Sequence, residues 1–381
     1  MQKTQLFKFF SAFSCISTTS NDSWNTIQLV QRLRQQNKAK DLLTVSCLST
    51  IKRQPNSIKA DQMHEFLVKQ LANQLHNFYS LPFYVLTNPV FNEVSSWYKK
   101  KFQKMQSMLP IKSDQASHDF LKFLQNERYN TYDNSVELMC RGVKQLSYID
   151  STLNLDPFFN KFFFFRIGQR LLLDHYLSGA LGKEENTGCI QKIASLTGTI
   201  QELVNEVRNT CRGSYVYAPL VTIEGNLKED FYYPPDHVNL ILTEVLKNSL
   251  RSTIEFALSQ KNGVIIQDDH DFPTVNISIA QSDQKILLTV HDRGGGISDK
   301  NFKKVFTYGY SSAHENCGAT EVFSLNSFVR SDVAGFGFGL PLARTFSQFF
   351  KGDLQLHTCH GIETHTFITL PNLYEFDKKP S

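Results

Sequence analysis

The amino-acid sequence predicts an N-terminal helical bundle over residues 40–185, followed by a C-terminal α+β sandwich over residues 190–371. Three observations carry that prediction. Apolar residues recur at helical spacing through the first half. They switch to alternation after residue 270. Glycine-rich segments, DRGGG at 292–296 and GFGFGL at 335–340, punctuate the second half. The acid-rich stretch GKEENTG at 182–188 marks the boundary, and 381 residues suffice for two cores.

In chain order, residues 1–22 read as a mitochondrial targeting segment: the first 21 lack Asp and Glu, are rich in Ser and Phe, and carry Lys3 and Lys8. A disordered tail is the alternative. Met63, Phe66, Leu67, Leu71, Leu75 and Phe78 define the first long helix, which Leu81-Pro82 closes. Asn88-Pro89 opens the next, around Val94, Trp97, Tyr98 and Phe102, and periodic runs at 118–126, 135–147 and 158–179 complete a bundle. The aromatic run Phe162–Phe165, with Phe158 and Phe159 nearby, is too short to span a bilayer and is bounded by Lys161 and Arg166; it reads as a buried helix face. Beyond the boundary a helix is expected over 237–260, with Asn262-Gly263 as the turn after it. Strands follow at Val275, Ile277, Ile279 and at Ile286, Leu288, Val290, separated by Ser282-Asp283. A helix from Gly339 to before Gly352 and strands at 354–358 and 364–370 complete one sheet covered by helices. Residues 372–381 form a short tail.

A net charge of +4 without a Lys/Arg block gives no support to nucleic-acid binding, and no apolar run supports membrane insertion. The seven cysteines (Cys15, Cys47, Cys140, Cys189, Cys211, Cys317 and Cys359) are scattered and form no CxxC pair, which favours a reducing compartment over a disulfide framework or zinc site.

The chemistry concentrates in the second half. Glu244 and Asn248 lie four residues apart and Arg251 seven from Glu244, so they share a helix face opposite the stripe Leu242, Val245, Leu246, Leu250 and Ile254. A carboxylate beside an amide oxygen suits magnesium. With Asn248 as ligand, Glu244 is placed to orient or deprotonate a nucleophile. The same spacing also describes a solvated polar face. By period two Asp292 shares the face of Ile286, Leu288 and Val290, so its carboxylate aims into an apolar layer and needs a partner. An adenine amino group, reached directly and through water, would serve, and Gly294 to Gly296 would let the backbone pass close to the base. A plain turn headed by Asp is the alternative. Gly335, Gly337 and Gly339 precede a helical run, where open backbone N–H groups suit phosphate, or else form an ordinary flexible loop. The spacing GxGxG is not the dinucleotide fingerprint, and no GxxxxGK[ST] occurs. The polar interval Ser311–Val333 reads as a mobile lid.

Glu244, Lys247, Asn248 and Arg251 meet the pattern ExxKNAxR with Ser249 in place of alanine; DRGGG and GFGxGLP are met outright, the latter continuing through Pro341, Arg344 and Gly352-Asp353. LPFYVLTNP at 81–89, SWYKKKF at 96–102 and FRIGQRLLLDHYL at 165–177 extend the match over residues 60–371. On these residues the chain resembles the mitochondrial protein kinases of 2-oxo-acid dehydrogenases, the pyruvate dehydrogenase and branched-chain 2-oxo-acid dehydrogenase kinases. Their nucleotide-binding fold is that of histidine kinases, type II topoisomerases and heat-shock chaperone ATPases. The resemblance implies a matrix protein-serine kinase that phosphorylates the E1α subunit of pyruvate dehydrogenase, docks through the helical half on a lipoyl domain of the E2 core, and forms a homodimer. It implies ATP and Mg2+ as cofactors, with K+ near the nucleotide as a further family feature. Glu244 would be the base, Asn248 the magnesium ligand beside Lys247 and Arg251, and Asp292 the adenine acceptor with Gly294, Gly296 and Thr364. Ser311, Ser312, Gly335, Phe336, Gly337, Phe338, Gly339 and Leu340 would close over the phosphates.

Four departures accompany the resemblance. Leu240 stands one turn before Glu244, where the pyruvate branch often has histidine, and His237 is about 10 Å away along the helix axis. The last glycine box, GxGT in the family, here reads Gly361-Ile362-Glu363-Thr364, with Glu363 expected to disturb the local backbone. Tyr132 replaces a histidine of the family's small-acid effector pocket. No Asp-Trp motif stands near Ser381, so a dimer cross-over by such a tail is not expected. Three other readings stand beside the pyruvate branch: the branched-chain kinase, a phosphohistidine sensor kinase, and a non-catalytic ATP-binding scaffold on the E2 core; the second needs an acceptor histidine followed by an acid, a pattern that Asp174-His175 does not meet.

Overall fold

The computed structural model describes residues 51, 58–108, 111, 113–129, 134–180, 188–225, 230–260, 266–311 and 337–374. The targeting segment, Tyr132, Asn262-Gly263, Ser312, Gly335, Phe336 and nearly all of the expected lid and tail fall outside them. The chain divides into two compact units, Met1–Cys189 and Ile190–Ser381.

The first unit holds helices α1 (Ala60–Tyr79), α2 (Phe83–Leu86), α3 (Pro89–Ser107), α4 (Asp114–Tyr129), α5 (Asn134–Ile149) and α6 (Asp156–Ala180). Asn88 starts α3 by accepting from Val90 N (3.0 Å) and Phe91 N (3.4 Å), and Pro89 occupies the first turn, where its missing N–H costs nothing. The apolar stripe of α1 packs on α3 and α6. Phe78 meets Tyr98, Phe158 and Phe162 with ring centroids 5.2–5.8 Å apart. Gln74 and Asn77, both buried, donate to the carbonyls of Phe162 (3.2 Å) and Phe158 (3.0 Å), which locks α1 against α6. The aromatic run is a buried face as expected for Phe158, Phe159, Phe162 and Phe163, whereas Phe164 and Phe165 are half-buried. His175 is also buried, with Nδ1 3.4 Å from the Cys189 N–H. A phosphoacceptor histidine needs access, so burial of His175 adds to the sequence mismatch against the sensor-kinase reading.

The second unit contains β1 (Gln191–Lys192), α7 (Leu196–Tyr215), β2 (Val221–Glu224), β3 (Tyr232–Tyr233), α8 (Pro235–Gln260), a 3-10 turn (Asp269–Asp271), β4 (Val275–Ser282), β5 (Lys285–Asp292), α9 (Asp299–Phe302), α10 (Gly339–Phe349), β6 (Asp353–Cys359) and β7 (Glu363–Pro371). The main sheet has the order β2-β4-β5-β7-β6, with β2 parallel to β4 and the other pairs antiparallel; β1 and β3 form a separate ribbon. Burial alternates along β4, β5, β6 and β7, so one sheet face is apolar and the other half-open. Helix α8 lies on the apolar face against β5, flanked by α7 and α10. Val238, Ile241, Leu242, Val245, Leu246, Leu250 and Ile254 are each at most 1% exposed. Each such side chain contributes about 1.5–3 kcal/mol by leaving water, so a charge at Leu246 would break the layer.

Candidate active site

Helix α8 turns one polar face outward while its stripe holds the sheet, and this positions Glu244, Lys247, Asn248 and Arg251 together. They line an open cleft whose other wall is Val305, Tyr310, Ser311, Gly337, Gly339, Leu340 and Pro341.

The orientation of Glu244 has two sources. Lys247 Nζ lies 3.4 Å from Oε1, and Gly339 presses on Oε2, where any added Cβ would overlap the carboxylate. A side chain at Gly339 would push the Glu244 carboxylate aside. With Leu240 one turn earlier in place of the family's histidine, Glu244 pairs with Lys247 and lies next to Gly339. His237 packs instead into an aromatic nest with Phe346 (4.6 Å), Phe350 and Tyr233. Asn248 donates its amide N–H to the Glu244 carbonyl at 2.8 Å, which fixes the group and leaves Oδ1 as the atom a cation would take.

The α10 N-terminus begins at Phe338 with no side-chain cap, so its first backbone N–H groups are available where Gly337, Gly339 and Leu340 line the cleft. Phe338 itself is buried against Tyr308 (5.3 Å) and contributes backbone only. Arg251 lines the cleft but pairs with Glu255 (2.8 Å), which also accepts from the Tyr215 hydroxyl (3.0 Å).

Asp292 stands beside the α8 face near Ser252 rather than among the cleft-lining residues. It is 3% exposed and accepts from Gly294 N (3.0 Å) and Ser252 Oγ (3.4 Å). Burial pushes its carboxyl above the ordinary carboxylate range, and the Ser249, Gly294 and Ser252 hydrogen bonds offset this only in part. Such a group calls for one more donor. Thr364 is its register partner on β7, buried, with its hydroxyl 3.2 Å from that of Thr358. Gly294 and Gly295 abut Ser252 and Phe256 of α8, and Gly296 abuts the Cys359 carbonyl. Strand–helix packing thus already demands these glycines, a cause the sequence did not reveal. Ser252 and Tyr310 were not anticipated. Ser252 was findable, since it continues the four-residue spacing of Glu244 and Asn248; nothing in the sequence pointed to Tyr310.

A family profile described as "Mitochondrial branched-chain alpha-ketoacid dehydrogenase kinase" matches residues 26–201, and one described as "Histidine kinase-, DNA gyrase B-, and HSP90-like ATPase" matches residues 234–373. The chain is 29% identical over 321 residues to a mitochondrial [pyruvate dehydrogenase (acetyl-transferring)] kinase of Arabidopsis thaliana, covering 83% of this chain and 85% of the relative. It is 32% identical over 238 residues to a Schizosaccharomyces pombe protein of the same name, covering 61% and 53%. Against isozyme 3 of Homo sapiens the identity is 27% over 324 residues, covering 80% and 75%.

Proposed function

Since the chain belongs to the family of mitochondrial 2-oxo-acid dehydrogenase kinases, we propose that it is an ATP-dependent protein-serine kinase that phosphorylates and inactivates the E1α subunit of the pyruvate dehydrogenase complex. The observation that carries this reading is the meeting of Glu244 with the uncapped N-terminus of α10. It joins a proton acceptor to a phosphate-binding helix end in one cleft.

Glu244, Asn248 and Ser252 are spaced four residues apart along α8, which spans about 12 Å at 1.5 Å per residue. A nucleotide lying along that face has its base at Ser252 and Asp292 and its terminal phosphate at Glu244. Asn248 Oδ1 suits magnesium, which supplies charge neutralisation across the phosphates. Glu244 accepts the proton of the substrate serine, and Lys247 keeps its carboxylate in place. The amides at Gly337, Gly339 and Leu340, with Ser311, hold the phosphates. The helical unit docks on a lipoyl domain of E2 within the mitochondrial matrix, and the active form is a homodimer. No helix among the described residues is long and apolar enough to cross a membrane.

Purified pyruvate and branched-chain dehydrogenase complexes, offered side by side with labelled ATP and magnesium, test the proposal. Label is expected on the pyruvate E1α subunit, with loss of that complex's activity. Glu244→Gln is expected to retain ATP binding and lose at least about a hundredfold in transfer. Label confined to the branched-chain subunit would reassign the substrate, and ATP binding without any transfer would leave a scaffold.

A further inference from the structure

The half-open face of the sheet carries a side-chain cluster that the nucleotide site does not use. His291 of β5 and His365 of β7 are direct register partners, and their rings stack with centroids 4.2 Å apart and planes within 4°. Glu363, two residues before His365, reaches both: Oε2 lies 2.9 Å from His291 Nε2, and Oε1 lies 3.5 Å from His365 Nε2. One donor atom from each of the three falls within 4.8 Å of the others. All three residues are half-buried, so the group is shielded yet open to solvent on one side.

We propose that His291, Glu363 and His365 bind a transition-metal ion of the zinc class, with the remaining coordination position left to water. Two imidazoles with one carboxylate form a borderline nitrogen and oxygen donor set that zinc takes and that magnesium and calcium do not favour. Glu363 presents a different oxygen to each imidazole, and either oxygen can turn to a shared ion with bonds of about 2.0–2.1 Å. The paired strands hold the three backbones in place, and the parallel rings turn about their side-chain torsions to point both nitrogens at one ion. Glu363 also occupies the place where the family pattern has glycine, so the third ligand is a feature of this chain. It causes no backbone break: β7 starts at Glu363 and keeps its pairing with β5 and β6. His291 precedes Asp292 and Glu363 precedes Thr364, and those two followers are themselves register partners. An ion here ties β5 to β7 immediately behind the carboxylate proposed to read adenine.

Titration of the metal-free full chain with zinc against a chromophoric chelator reads the site, with cobalt(II) absorption reporting coordination. One equivalent is expected, bound with the intense visible bands of a tetrahedral nitrogen and oxygen site. His365→Asn and Glu363→Gln are each expected to weaken binding by more than about a hundredfold, beyond what loss of an outer-shell partner costs. Glu363→Gly, which restores the family's residue, tests the same ligand with little risk to folding. Cys359→Ser is expected to change nothing, although that exposed thiol lies opposite Glu363. Unchanged affinity in all three ligand variants, checked as folded by circular dichroism, overturns the proposal. So does loss of the bound equivalent in Cys359→Ser.

Discussion

Burial works against the charge of Asp292, and its conformation is kept by the few donors around it. With the folded-state carboxyl raised above its unfolded value, this group favours folding fully only below the ordinary carboxylate range. The contribution is lost as pH rises through the folded value, so ionised Asp292 destabilises the free protein at pH 7. Asp292→Asn keeps an acceptor for Gly294 N and Ser252 Oγ while removing the charge. Its melting temperature is therefore expected to equal that of the wild type near pH 3 and to exceed it by a few degrees at pH 7. Asp292→Ala, which removes the acceptor, is expected to weaken ATP by at least about thirtyfold, or ~2 kcal/mol. Calorimetric titration checks the second expectation and thermal melts the first. A wild-type ATP affinity in the alanine variant would remove Asp292 from the nucleotide site.

Helix α7 shows how an element is fixed by partners remote in sequence. Its Ser195 cap is local, accepting from Gly198 N at 3.0 Å. Its far end is held by Asp269, which receives Arg208 Nη2 (2.9 Å), Arg212 and the Ala218 N–H (2.9 Å). Burial pushes the Asp269 carboxyl up, but the Arg212 hydrogen bond, the Ala218 N–H and the two guanidinium charges outweigh it, so it titrates below the ordinary range. The stability it confers is present above that range and lost as pH falls through the folded value. Asp269→Asn is expected to cost about 1–3 kcal/mol at pH 7 and almost nothing near pH 3, read from urea melts at the two values. An equal cost at both would show that shape, not charge, holds α7. None of this was legible in the sequence, because the two arginines lie 57 and 61 residues from Asp269. The helices and strands themselves were legible, since periodicity and caps such as Asn88 act within four residues. The His291–Glu363–His365 group was hidden for the same reason as Asp269: strand register, not spacing, brings it together. Only the departure at Glu363 hinted that something there differed.

Over the whole chain, the two compact units meet in sequence after Cys189, between the helical period of the first half and the alternation of the second. The motifs named the cleft's ingredients but not its walls. Residues 244–251, 305–311 and 337–341 converge there, and only packing of α10 on α8 brings Gly339 onto Glu244. Every described residue lining the cleft belongs to the second unit, as do Asp292 and Thr364. That unit has its own apolar core between sheet and helices, so it meets the physical requirement for folding alone. Residues 190–381 produced without the helical unit are expected to bind Mg·ATP within about tenfold of the full chain, a difference below ~1.4 kcal/mol. They are expected to fail to phosphorylate the assembled pyruvate dehydrogenase complex, because the proposed docking surface lies in the missing half. Calorimetry on the fragment, with far-UV circular dichroism to establish its fold, separates the two contributions. A folded fragment without ATP affinity would mean that the first unit takes part in nucleotide binding. A fragment that labels the intact complex at the full-chain rate would remove the helical unit from substrate delivery.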